Sequence, residues 1–186
     1  MKTKIFIVSS LLLVQGVFPL RAKAIVPPTQ SVVQIAQTDK SAVTFYDRGV
    51  EKYKAEDFKG AIADFDRAIE IDPSYAQAFI SRGNAKDDAG KPQEAIADYD
   101  KAIELIPTYA DAYNNRGITK YRLGDKQAAI ADYDKAIQFN PKYDNAYYNR
   151  GLAKYDLGDN QGARADYDRA LELNPQYGKN YYNKRG

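Results

Sequence analysis

The nine-residue string AIADYDKAI stands at 95–103 and again, unchanged, at 129–137, 34 residues later. Looser copies, AIADFDRAI at 61–69 and ARADYDRAL at 163–171, carry the same period one step to either side. A fixed period of this length is one supersecondary unit written four times, and a unit that small buries its apolar face only by stacking on its neighbours. The chain is therefore an array, read once per period.

Pro73, Pro107, Pro141 and Pro175 hold one place in every period and set the units at 42–75, 76–109, 110–143 and 144–177. Each unit has an aromatic at position 4 (Phe45, Phe79, Tyr113, Tyr147) and glycine at 8 (Gly49, Gly83, Gly117, Gly151). Alanine follows at 20 (Ala61, Ala95, Ala129, Ala163), an aromatic at 24 (Phe65, Tyr99, Tyr133, Tyr167) and alanine at 27 (Ala68, Ala102, Ala136, Ala170). Positions 20, 21, 24, 27 and 28 are mostly apolar and share one stripe at about 100° per residue, which is helix spacing. The small residues at 8, 20 and 27 let two helix backbones approach closely, as an antiparallel pair requires. The LGD strings at 123–125 and 157–159 supply a glycine to end the first helix and an aspartate to cap the second. Pro92 falls in the first turn of its second helix, where proline is tolerated.

These landmarks resemble the tetratricopeptide repeat (TPR) family over about three quarters of the chain. The resemblance implies an all-α fold, a right-handed superhelical TPR solenoid of antiparallel helix pairs whose first helices line a concave face. It also implies a non-enzymatic scaffold that binds protein. The Arg-Gly, Lys-Tyr, Leu-Gly-Asp and Ala-Asp-Tyr-Asp style of the units resembles exported bacterial TPR proteins of the cyanobacterial type.

Two positions depart from the family pattern. Position 7 is arginine in every unit (Arg48, Arg82, Arg116, Arg150) where leucine is usual, and position 11 is lysine (Lys52, Lys86, Lys120, Lys154) where tyrosine is usual. Both lie beside the aromatic at 4 on a helical wheel, facing the neighbouring helix, where unpaired cations are costly. Each second helix carries aspartates at 23 and 25 (Asp64 and Asp66, Asp98 and Asp100, Asp132 and Asp134, Asp166 and Asp168). The expectation is a ladder of partly buried ion pairs, one set per unit. The aspartates of a pair point about 200° apart, so they do not share a metal ion.

What varies between units is where a ligand would be specified. Positions 2, 5, 6, 9, 12 and 13 lie within about 120° of arc on the first helix, and by resemblance to the family they face the groove. The candidate peptide-binding residues there are Tyr46, Tyr53, Asn84, Asp88, Asn114, Asn115, Tyr121, Arg122, Tyr148, Asn149 and Tyr155, centred on Tyr121, Asn115, Asn149 and Tyr148. Tyrosine gives large contact area at low entropy cost, and an asparagine amide both donates to and accepts from a peptide backbone. Family members that grip chaperone C-termini surround two asparagines with lysines and arginines. Asn84 and Asn115 match those asparagines, but Tyr46, Ile80, Asp111, Asn145 and Asn149 stand where cations would be. The partner expected is a polypeptide, basic or neutral rather than an acidic tail.

Residues 1–24 read as a signal peptide: Lys2 and Lys4, an apolar run from Ile5 to Leu20, then Ala22-Lys23-Ala24 as the cleavage pattern. Its removal takes four cations and no acid, and the formal charge falls from +2 to −2. A slightly acidic mature chain without a basic cluster fits neither nucleic acid nor an anionic membrane. Localisation is therefore expected beyond the inner membrane, in the periplasm, the medium or, in a cyanobacterium, the thylakoid lumen. Residues 25–41 read as a flexible leader, and 178–186 as the truncated start of a fifth repeat or a short cap. An incomplete cap sets up the alternative function, assembly into a homo-oligomer through the C-terminal end. With no histidine and no cysteine, Ser-His-Asp and Cys-His catalysis and His/Cys zinc sites are excluded. No phosphate loop and no paired carboxylate pocket is written, so no cofactor and no enzyme activity is expected.

Overall fold

A computed structural model of the chain describes residues 30–177; the expected signal peptide at 1–24, residues 25–29 of the expected leader, and 178–186, expected as the start of a fifth repeat or a short cap, lie outside the described residues. The elements are α1 (Gln30–Lys54), α2 (Phe58–Ile71), α3 (Ala76–Asp88), α4 (Pro92–Leu105), α5 (Ala110–Arg122), α6 (Lys126–Phe139), α7 (Asp144–Asp156) and α8 (Asn160–Leu173). Each odd helix pairs with the even one after it, and each even helix packs on the next odd one. The odd helices also touch one another in sequence, α1 with α3, α3 with α5 and α5 with α7, so they form one continuous face. This is the all-α superhelical solenoid that the period implies.

One feature departs from the sequence reading. α1 starts at Gln30, twelve residues before the first unit, where a flexible leader over 25–41 was expected. Nothing between Gln30 and Ala42 is glycine or proline, and the last breakers are Pro27 and Pro28; a chain without breakers extends a helix that packing has already nucleated.

Inside each unit the pair closes through glycine 8 and aromatic 24. A Cβ at Gly83 would stand 2.6 Å from the Tyr99 ring, and one at Gly117 2.7 Å from the Tyr133 ring. Only a hydrogen leaves room for an aromatic at that depth. Ala61, Phe65 and Ala85 form one buried cluster with Ile62 against it, and Ala129, Tyr133 and Ala153 form another with Ile130. Ala85 and Ala153 come from the unit after, so these clusters weld units together. The turns behave as read: Gly90, Gly124 and Gly158 take positive φ, while in the first unit Glu56 takes it at φ 60°. Asp57, Asp125 and Asp159 accept from the backbone N–H of Gly60, Ala128 and Gly162, capping α2, α6 and α8.

The ion ladder exists, with a different wiring. Asp98 accepts from Arg82 Nε at 2.9 Å and Nη2 at 2.5 Å and lies 2.9 Å from Lys86 Nζ; Asp64, Asp132 and Asp166 repeat the arrangement with their own arginine and lysine. The aspartate at 25 does not join its own unit. Arg82 Nη1 reaches back to Asp66 at 2.6 Å, Arg116 to Asp100, and Arg150 to Asp134 at 2.6 Å. The 200° between positions 23 and 25 is the reason: one carboxylate faces its own first helix and the other faces the next unit. Each of these three arginines therefore straddles a junction, and each stacks over its position-4 ring, as Arg82 does on Phe79 at 5.3 Å. The hydrogen bond from Arg48 holds the Asp64 carboxyl down at about 2.

Candidate functional site

The face of odd helices carries most of the candidate residues, and they are bonded to one another across units. Tyr53 Oη donates to Asp88, and Tyr121 Oη donates to Asp156 at 2.8 Å. Arg122 Nη1 donates to Asp87 Oδ2 at 2.8 Å, and Asn115 Nδ2 to Asn84 Oδ1 at 3.0 Å. Asn149 Nδ2 donates to Asn114 Oδ1 at 3.2 Å, and Ser81 to Tyr46 Oη at 3.3 Å. Position 5 does not belong to the open face in the middle units: Ile80 is 2% and Asn114 3% exposed. Asn114 serves the scaffold from inside. Tyr148 stacks on Tyr177 with ring centres 4.8 Å apart, and Tyr155 is the most exposed of the set at 58%.

A hollow opens in this face one unit nearer the N-terminus than the expected centre. Tyr53, Asn84, Asp87, Asp88, Tyr99, Asn115, Ile118 and Arg122 line about 200 Å³ of space between α1, α3 and α5. Five of these eight are sequence candidates; Asp87, Tyr99 and Ile118 were not, although Asp87 and Ile118 occupy arc positions 12 and 9. Tyr121, Tyr148 and Asn149 lie outside it. Tyr99 was read only as a core aromatic, and it is one, yet its hydroxyl reaches the hollow and donates to Asn84 Oδ1 at 2.8 Å.

The electrostatics of the hollow are asymmetric. Asp87 is 8% exposed and accepts from Thr119 at 3.0 Å and from Arg122. Asp88 sits at the rim. Burial and the Asp88 carboxylate push the Tyr53 hydroxyl up to about 12, so it remains a donor across the physiological range. Asn84 Oδ1 accepts from both Tyr99 and Asn115, which turns its amide into the hollow. The hollow thus sets tyrosine edges, side-chain amides and two carboxylates against one guanidinium, groups that can hydrogen-bond a polypeptide.

The comparisons agree with this architecture. Tetratricopeptide repeat profiles match residues 42–75 and 145–177, and TPR repeat profiles match 88–124 and 120–158. The chain belongs to the tetratricopeptide repeat family, whose fold serves as a protein–protein interaction module. Among solved structures it is similar to the MamA protein at 30% identity and TM-score 0.65, over 73% of this chain and 74% of that one. A second MamA structure gives 28% identity and TM-score 0.68, over 80% and 86%. The first TPR of Spaghetti (RPAP3), bound to the HSP90 peptide SRMEEVD, shares the fold at 22% identity and TM-score 0.62, over 64% and 95%. No curated protein sequence matches the chain.

Proposed function

We propose that the chain is an exported, non-enzymatic interaction module that lays a basic or neutral polypeptide segment along its odd-helix face, anchored at the hollow between α1, α3 and α5. The observation that supports this is the hollow itself, about 200 Å³ with tyrosine walls and the Asn84 and Asn115 amides in its lining, on the face that the repeat fold leaves open. A structural relative holding the peptide SRMEEVD supports the use of such a face for a peptide. Here Asp87 and Asp88 stand in the hollow and disfavour an acidic tail. No cofactor is required. The signal-peptide pattern at 1–24 supports export to the periplasm, the medium or a thylakoid lumen, and N-terminal sequencing of the mature chain should begin at Ile25.

The test is binding to an array of extended peptides of basic, neutral and acidic composition, using residues 25–186 and a Tyr53→Ala/Asp88→Lys variant. The parent should prefer basic and neutral peptides, and the variant should bind them about tenfold more weakly, a loss of about 1.4 kcal/mol. Equal binding by both, or a preference for acidic peptides, would remove the hollow as the site.

A further inference from the structure

The two ends of the solenoid depart from the inner units at matching positions, and the departures are opposite in charge. At the first and third inner junctions position 10 of one unit packs on positions 20, 21 and 24 of the unit before: Ala85 clusters with Ala61, Ile62 and Phe65, and Ala153 with Ala129, Ile130 and Tyr133. Position 10 of the first unit is Glu51 and position 21 of the fourth is Arg164, in place of alanine or threonine and of isoleucine, and both are exposed. The ladder is open at the same two places. Arg48 binds Asp64 through Nε and Nη2, but its Nη1 has no carboxylate among the described residues, and its side chain is 56% exposed against 16–18% for Arg82, Arg116 and Arg150. Asp168, which occupies the place of Asp66, Asp100 and Asp134, is exposed and has no ion pair among the described residues.

We propose that these ends are complementary faces and that the chain joins a second copy of itself head to tail, α8 of one copy against α1 of the next. Arg48 of the second copy then reaches Asp168 as Arg82 reaches Asp66, and Glu51 meets Arg164 where the inner junctions place apolar contacts. Leu171 takes the place of Ile69, which packs against the cluster that holds Phe79, and so comes to the side of α1 that carries Phe45. A solubilising cap needs polar groups of any sign, whereas here two separate positions carry opposite signs in the register that the inner junctions define. The contact is heterologous, so it propagates as an open row unless the rotation closes it. It does not rest on the groove reading.

Sedimentation velocity of residues 25–186, which hold every described element, tests this over a concentration series. The parent mass should rise with concentration without stopping at a dimer, and about 1 M salt, where the screening length is about 3 Å, should bring it back to monomer. Arg164→Glu and Glu51→Arg, both exposed and checked for helix content, should each weaken association about tenfold or more, and the double exchange should restore it. A parent that stays monomeric overturns the proposal and leaves Glu51 and Arg164 as caps. Association that appears only after removal of 178–186 overturns it too, and assigns the α8 face to that segment. Single variants that associate like the parent would reject this register.

Discussion

Replacing Asp98 with alanine is expected to destabilise the fold by about 3 kcal/mol, the low end of what breaking a buried pair costs. Asp98 is 4% exposed and binds both Arg82 and Lys86, whose side chains are 16% and 14% exposed. Removing it takes the carboxylate from a Lys86 ammonium that is largely shielded from water. Arg82 keeps Asp66 and the Phe79 ring, which holds the loss to the lower part of the range. The matched control is Asp66→Ala: Asp66 is 47% exposed, and its removal should cost about 1 kcal/mol or less. Urea denaturation measures both, with the slope compared so that a change in cooperativity is not read as stability. Equal costs for the two would mean that the inner and outer carboxylates do the same work, and that burial is not what gives the ladder its strength.

Tyr133→Ala should cost more, about 3–5 kcal/mol, because it empties the centre of a junction. The ring is 1% exposed, lies over Gly117, and shares a cluster with Ala129 of its own unit and Ala153 of the next. Tyr133→Phe should change stability by less than about 1 kcal/mol, since Phe65 fills the corresponding place in the first unit without a hydroxyl. Because the cavity opens between the third and fourth units, loss of the α7 and α8 signals before those of α1 to α4 is the expected pattern in residue-resolved hydrogen exchange. Uniform loss along the array would contradict the view of Tyr133 as a local weld.

The array could be read from its period because each landmark has one job. Gly117 and Tyr133 are a matched small and large pair, Asp125 and Gly124 are turn chemistry, and all recur at fixed spacing. The groove was harder. A helical wheel gives direction and says nothing of depth, and each odd helix is flanked by two others that close over the edges of its open arc. Ile80 and Asn114 were lost to the scaffold that way, and the hollow lies on α1, α3 and α5, short of α7, whose arc holds the most tyrosine and asparagine. Tyr99 was hidden for the opposite reason: its ring belongs to the core and only its hydroxyl belongs to the site. The helical start of α1 was masked by composition, since a stretch rich in Gln, Thr and Ser reads as loop even when it contains no breaker.

The arginines at position 7 have a mechanical meaning. Arg82, Arg116 and Arg150 each grip a carboxylate of the unit before, so charge stitches all three junctions of the winding, while Arg122 to Asp87, Tyr53 to Asp88 and Tyr121 to Asp156 add stitches on the odd-helix face. Such a body is a spring whose coils are fastened to one another largely by ions. Its stiffness belongs to the solution as much as to the chain: added ions loosen the stitches first where they are wettest, and the pitch of the whole coil follows.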